Sequence, residues 1–303
     1  MGSGAVRRCV MKQLFERVSS YWVRYDKYVI QTDAKGVKYI TAAPDARPTI
    51  IDPLEDAQAM VLDALNAGRL FFGKKATERE QEAGILRFVH RYGLLGFITA
   101  LPTTPKFMHY EKVYLPKNHF IREEALETEQ FLDYFFPFQK LNLRKRGMKS
   151  VWEVEGDTDT IALMLTFSNE PEAVRMSFLK EYAEPVEWIA KALKDLTFPF
   201  ITSKYFYEDA DAFDADEKKL MAQGVAAFGG IAPTYRIALL DKPTIVWDFH
   251  SLLISLQMMF SFMLAENKTP LRICAHCDTI FVASRSNQRF CSNPCRRRGE
   301  YYQ

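Results

Sequence analysis

Apolar side chains recur at three- and four-residue spacing over 12–25, which predicts an amphipathic helix. The period then shortens. Tyr28-Val29-Ile30 and the run 37–41 flank Asp33-Ala34-Lys35-Gly36, the pattern of a β-hairpin whose turn uses Gly36. Asp52-Pro53 predicts a helix to about residue 70, with Pro53 in its first turn. Thr77 opens another, with Glu80 in the position that completes a capping box. Residues 94–120 hold Pro102, Pro105 and Pro116 and little periodicity, so they read as a long irregular connection or lid. A helix over 122–135 stops before Pro137. Residues 171–193 read as a helix that Pro185 kinks or splits. Another follows over 216–228, capped by Asp214 with Glu217 in the box position.

Two short β-like runs, 235–240 and 244–247, lie around Asp241-Lys242-Pro243. Asp248 then serves as the N-cap of an apolar helix over 250–266. There is no internal repeat and no low-complexity segment. The fold class expected is mainly α with small β-hairpins, α+β, in three regions. Residues 1–150 form an α-rich region with a β-hairpin, 151–266 a helical region and 267–303 a zinc finger.

Composition supports a folded chain. Of 303 residues, 48% are hydrophobic and 14% aromatic, enough for a real core. The most apolar stretch, 251–265, is too short to span a bilayer and is interrupted by Ser255, Gln257 and Ser261. No secretory signal is evident in the first residues, so the expected compartment is the cytoplasm, with no membrane partner. The net charge of +2 hides an asymmetry. Arg285, Arg289, Arg296, Arg297 and Arg298 lie between Asp278 and Glu300 with no acidic residue among them. Setting those five apart from the 40 basic residues leaves 35 against 38 acidic ones. A positive tail on a slightly negative body suits an anionic partner.

Four of the five cysteines crowd the same tail, in the spacing C-x2-C-x13-C-x3-C: Cys274, Cys277, Cys291 and Cys295. Paired thiols at this spacing point to one tetrahedral metal ion rather than to disulfides. Cys274 and Cys277 fit a tight knuckle. Cys291 and Cys295 share a face if a helix begins there, with Ser292 and Pro294 suited to its start. Residues 279–282 and 288–290 are expected to pair as a short hairpin with 284–287 as its turn, and Phe281 and Phe290 supply a small core. Knuckle, hairpin and helix together make a treble-clef-like finger. Its cofactor is one structural Zn²⁺, contributing on the order of 10 kcal/mol of folding free energy. Four thiolates close the coordination sphere, which argues against zinc catalysis and gives the neighbouring arginines a role in balancing the site's charge. His276, between the first two cysteines, could replace a ligand but reads more simply as pointing outward. Cys9 is expected to be a free thiol.

The residues Cys274-Ala275-His276-Cys277, Phe281, Arg285, Gln288, Phe290-Cys291-Ser292 and Cys295-Arg296 resemble the C-terminal zinc finger of bacterial CGNR-type proteins. The likeness covers roughly residues 235–303. It implies the four cysteines as ligands, Arg296 as a basic residue of the finger helix, and a DNA-binding transcription regulator as the function. Where that family reads Cys-Gly-Asn-Arg, this chain reads Cys295-Arg296-Arg297-Arg298.

The partner expected is DNA or RNA, contacted by Arg285, Arg289, Arg296, Arg297, Arg298, Tyr301 and Tyr302, since arginine pairs with phosphate and tyrosine stacks on bases. Lys140, Arg144, Lys145, Arg146 and Lys149 form a second basic cluster, which reads more simply as a solvated loop. Two alternatives stand beside this. One is a protein-interaction or homo-oligomerising protein with a purely structural zinc clasp; the other is an enzyme with a site in the N-terminal region. No catalytic residue is assigned. His90, His109, His119, His250 and His276 form no H-E-x-x-H motif, and Gly73-Lys74-Lys75 is not a phosphate loop. The acidic run 208–217 lacks calcium-loop spacing. Asp248 with His250 is the nearest approach to an acid–base pair, and it reads more simply as a cap and a core edge.

Overall fold

The structure is a computed structural model and describes residues 18–72, 76–138, 166–168, 170–208, 210–265, 271–285 and 287–301. Cys9, the basic cluster at 140–149 and Tyr302 lie outside them, as do the helical expectation for 12–17 and the side chain of Tyr301.

Of the helix expected over 12–25, the described part, 18–25, is instead two strands, β1 (Val18–Ser19) and β2 (Trp22–Tyr25). Their valine and aromatic content favours a pleated surface, and distant partners decide the matter. Trp22 Nε1 donates to the Leu94 carbonyl (2.9 Å) and the Tyr25 hydroxyl donates to that of Phe178 (2.7 Å). The expected hairpin is present as β3 (Tyr28–Thr32) and β4 (Lys38–Ala42), with Ile30 opposite Ile40. Asp33 closes its turn by accepting the Lys35 and Val37 N–H groups. Strand β5 (Pro48–Ile51) pairs with β2.

Helix α1 (Ala57–Arg69) begins four residues later than Pro53 would place it. Asp52 is engaged elsewhere, accepting from Leu54 N (2.9 Å) and Ser20 Oγ (2.6 Å), and Asp56 caps instead. Helix α2 (Glu78–Tyr92) carries the expected box, Thr77 N–H donating to Glu80 and Glu80 N–H to Thr77 Oγ1. Residues 94–120 are not a lid. They hold α3 (Phe97–Ala100) and β6 (Lys112–Tyr114), and Leu94, Leu95, Phe97, Ile98, Leu101, Phe107 and Val113 are all buried. Prolines remove periodicity there without removing apolar content.

The helix expected at 122–135 is shorter: β7 (Ala125–Glu127) pairs with β6, and α4 (Thr128–Asp133) follows. The helix expected over 171–193 is interrupted more widely than by a break at Pro185: α5 (Glu172–Met176) ends nine residues before it, β8 (Ala183–Pro185) ends on it, and α6 (Val186–Glu208) begins directly after it. Helix α6 runs well past 193, with Pro199 inside it. Helix α7 (Ala215–Ala226) has the full Asp214/Glu217 capping box. Strands β9 (Thr234–Leu239) and β10 (Pro243–Asp248) form the second expected hairpin. Asp248 belongs to β10 and does not cap α8 (Leu252–Ala265). The Ser251 hydroxyl accepts the Ile254 N–H there. The chain ends in β11 (Leu271–Ile273), β12 (Ile280–Val282) and α9 (Asn293–Tyr301). The class is α+β: helices with small strand pairs, which among the described residues are antiparallel apart from β1 beside β10. No helix among the described residues is long and apolar enough to cross a membrane.

The elements gather into two compact units built from interleaved segments. The first takes residues 1–55, 89–188 and 231–255; the second takes 56–88, 189–230 and 256–303. The first has β3-β4-β8 and β1-β10-β9 as its three-stranded sheets and a buried carboxylate at its centre. Glu184, on β8, is fully buried. Its Oε1 accepts from Gly96 N (2.6 Å), Phe97 N (3.0 Å) and the Tyr182 hydroxyl (2.7 Å), and its Oε2 from Leu95 N (2.8 Å). Gly96 sits left-handed (φ +78), and a Cβ there would meet the Trp22 ring at 2.6 Å, so only glycine lets the three amides converge. Burial pushes the Glu184 carboxyl above its ordinary range, against the pull of those donors.

The core of the second unit closes α1 against α6. A Cβ at Gly68 would lie 2.3 Å from the Leu193 carbonyl oxygen, so the two helices meet backbone to backbone.

Candidate metal centre

Strands β11 and β12 pair antiparallel, with Ile273 opposite Ile280, and the knuckle 274–279 is their turn. This corrects the expected pairing of 279–282 with 288–290: the partner of β12 precedes the first cysteine instead of following the second. Backbone bonds fix the knuckle. Cys274 N donates to the Thr279 carbonyl (2.9 Å) and Asp278 N to that of Cys274 (2.9 Å). Asp278 takes the left-handed conformation the turn needs (φ +58), which aspartate tolerates better than most side chains.

After β12 the chain bends at Ser284 and Arg285 and turns again at Asn287. Gln288 Oε1 accepts from Ser284 N and Oγ, and its Nε2 donates to the Phe290 carbonyl. Ala275 N donates to the Arg289 carbonyl (3.0 Å), which lays this returning segment against the knuckle. Ser292 then starts α9 as its spacing predicts, its carbonyl accepting from Arg296 N and its hydroxyl from Cys295 N. Phe290 lies against that helix, and a Cβ at Gly299 would be 2.4 Å from its ring. Phe281 and Ala283 are buried beside Cys274.

These segments bring Cys274, Cys277, Cys291 and Cys295 together. One ligand atom from each lies within 4.8 Å of the others, and the group could hold a metal ion. The Cys277–Cys291 and Cys291–Cys295 sulfurs are 3.6 Å apart. All four are free thiols, since a disulfide would need about 2.05 Å. Cys274 is buried, Cys277 exposed and the other two half-buried. Burial alone would raise the Cys274 thiol, but backbone N–H groups of Cys277, Cys291 and His276 aim at its sulfur and hold it at about 6. Burial, together with hydrogen bonds from the neighbouring thiols, pushes Cys291 up to about 12. Four sulfurs this close cannot all ionise without a cation among them. His276 is exposed and outside the cluster.

The hairpin is not a loose appendage. Asn66, on α1, grips the backbone of Ile280 from both sides. Its Nδ2 donates to the Ile280 carbonyl (2.9 Å) and its Oδ1 accepts the Ile280 N–H (2.7 Å). The same Nδ2 donates to the Leu62 carbonyl. Arg69, one turn on, reaches Asp278 at 3.7 Å. Sequence reasoning missed Asn66. Its one signal is a residue of poor helix propensity in the middle of a strong helical pattern. Asn66→Ala is expected to destabilise the finger by about 1–3 kcal/mol, because it leaves a strand amide and carbonyl without partners. Faster hydrogen exchange at Ile280, with α1 unchanged, is the expected reading; protection equal to wild type would contradict it.

Arg285, Arg289, Arg296, Arg297 and Arg298 are all exposed, and none is in an ion pair among the described residues. The other candidates have structural partners. Asp248 pairs with Arg236 across the hairpin at 3.3 Å. His250 is buried, which lowers its pKa, and its carbonyl accepts from Thr99 Oγ1. Asp214 and Glu217 are spent on the α7 cap. No family model, curated protein or solved structure matches the chain.

Proposed function

We propose that this chain is a zinc-finger protein whose four cysteines hold one structural Zn²⁺ and whose finger helix contacts nucleic acid. A tetrahedral zinc with sulfurs at about 2.3 Å places them about 3.8 Å apart, close to the 3.6 Å separations here. The donor set favours zinc, because thiolates suit a borderline-soft ion and a set of four cysteines is a common closed site. Knuckle, hairpin and helix fit a treble-clef-like finger, as the resemblance to CGNR-type fingers implies. Transcription regulation is the role that likeness suggests.

The observation that carries the nucleic-acid reading is the exposure of Arg296, Arg297 and Arg298 on the helix that begins at the centre, with no acidic partner among the described residues. Arginines so placed suit phosphate oxygens. Wild-type protein should bind duplex DNA or single-stranded RNA at low salt. An Arg296/Arg297/Arg298 triple alanine variant should bind more weakly and with a salt slope smaller by about 2–3. No binding to either nucleic acid at low salt would contradict the proposal. A second reading, a zinc clasp that only fastens the C-terminal segment, is favoured by the Asn66 grip and the Arg69–Asp278 pair. It predicts a triple variant indistinguishable from wild type.

A further inference from the structure

A cleft of about 490 Å³ opens between the C-terminal halves of α6 and α8 and the end of α7, and every residue lining it belongs to the second unit. Sites for small molecules span roughly 300–1,000 Å³. The floor is apolar and largely aromatic. Phe200 and Phe260 are buried there, and Phe228 stands edge-on to Phe260 with ring centroids 5.7 Å apart. Two residues that do α6 no good line the same cleft. Pro199 lies inside the helix, where a proline removes a backbone hydrogen bond and crowds the carbonyl four residues back. Glu208 is the last residue of the helix, where a carboxylate meets the negative end of the dipole. It pairs with Lys204 (2.8 Å) in the order, lysine before glutamate, that helps a helix least. Departures from local preference that converge on one cavity point to function rather than to folding.

The polar groups of the cleft are few. Among the described residues, Lys204 and Glu208 are its only charged lining. The Lys204 side chain is 19% exposed, and its ammonium has donors beyond the one given to Glu208. The Glu208 carboxylate likewise has acceptor sites beyond the one Lys204 occupies. Ser203 Oγ donates to the Pro199 carbonyl (2.7 Å) and Ser261 Oγ to that of Gln257 (2.8 Å). Each hydroxyl has thus spent its hydrogen and keeps lone pairs that can accept an N–H.

We propose that the cleft binds a zwitterionic aromatic α-amino acid, its ring among Phe200, Phe228 and Phe260, its carboxylate on Lys204 and its ammonium on Glu208. The charge pair selects the head group. A lone anion drawn to Lys204 is repelled by Glu208 beside it, and a lone cation drawn to Glu208 is repelled by Lys204. An α-amino acid carries both charges on one carbon. Laid head to tail against the pair, it meets each charge with its opposite. The hydroxyls select the ring, since a buried indole N–H needs an acceptor and Ser203 and Ser261 supply acceptors. Aromatic rings also favour edge-to-face neighbours of the kind Phe228 and Phe260 form with each other. These groups lie outside the segment of the four cysteines, so the site depends on neither the metal nor the finger's partner.

Isothermal titration calorimetry of the full chain with tryptophan, indole-3-propionate and tryptamine tests this, because the three share a ring and differ in the charge of the head. Wild type should bind tryptophan with a dissociation constant of about 10–500 µM, and each of the other two about 10-fold or more weakly. Glu208→Gln should bring tryptophan and indole-3-propionate to within about 3-fold of each other, since it removes both the ammonium's partner and the anion's repulsion. Lys204→Gln should do the same for tryptophan and tryptamine. Wild type that leaves tryptophan unbound at about 5 mM overturns the proposal. So does binding of indole-3-propionate or tryptamine by wild type as tight as that of tryptophan. Tryptophan affinity unmoved by both substitutions would place the binding elsewhere and equally overturn it.

Discussion

Replacing Cys274 with serine, or stripping the metal with a chelator, is expected to unfold the segment from Leu271 onward and leave the rest of the chain folded. The magnitudes decide this. Among the described residues of this segment, the buried apolar side chains are Leu271, Ile280, Phe281 and Ala283 with Cys274, and Phe290 packs at the edge of the cluster around the centre. Burying a large apolar side chain stabilises by about 1.5–3 kcal/mol. Fixing the backbone costs about 1–2 kcal/mol for each residue. A segment of about thirty residues cannot be held by so small a cluster, even with the Asn66 bonds. A structural zinc contributes about 10–16 kcal/mol, enough to change the sign. Cys274 is the most consequential of the four because it is buried and its sulfur gathers three backbone N–H groups. Serine would leave those donors on a weaker, harder ligand. Amide exchange should show residues 271–301 losing protection while α2 keeps it; retained protection after metal loss would contradict the account.

The pH dependence follows in sign. Metal binding needs thiolates, so protons compete with the ion. Acidification should release the metal and unfold the finger, and neutral to mildly alkaline pH should favour the bound form.

The second large effect is expected at Glu184. Glu184→Ala leaves the Leu95, Gly96 and Phe97 amides and the Tyr182 hydroxyl without this acceptor, inside the buried core of the first unit. A buried donor that loses its partner costs about 1–3 kcal/mol, and here several lose the same acceptor at once. Against a total stability of about 5–15 kcal/mol this is severe. Glu184→Gln is expected to be damaging too, because its amide must turn an N–H toward one of the donors. Chemical denaturation should show the transition of the first unit shifted strongly to lower denaturant in both variants. A midpoint within error of wild type would contradict this reading of the carboxylate. Linkage adds a test. Since burial raises the Glu184 carboxyl above its ordinary 4.5, the stability it confers is fully present below that value and declines as pH rises toward the folded-state pKa. The glutamine variant should lose this slope.

What could be read from the sequence was what is local. The 28–42 hairpin and the boxes at Thr77/Glu80 and Asp214/Glu217 each depend on residues a few positions apart. The gathering of four cysteines was legible for the same reason, since their spacing and the cap at Ser292 are short-range. What failed was decided at long range. Residues 22–25 became a strand because Trp22 and Tyr25 bond to carbonyls 72 and 153 residues away. The 94–120 segment became core because a glutamate 87–89 residues later holds its amides. Strand β12 paired with β11 rather than with 288–290, because the knuckle itself is a tight enough turn to join two strands. Asn66 meets the finger across 214 residues, and no local pattern records that.

The central claim is the metal. Protein purified without added metal, and with its thiols kept reduced, should carry about one zinc per chain by elemental analysis, lost in step with Cys274, Cys277, Cys291 or Cys295 when each is replaced. Intact, reduced thiols with no bound metal, or a stoichiometry unmoved by those substitutions, would contradict it.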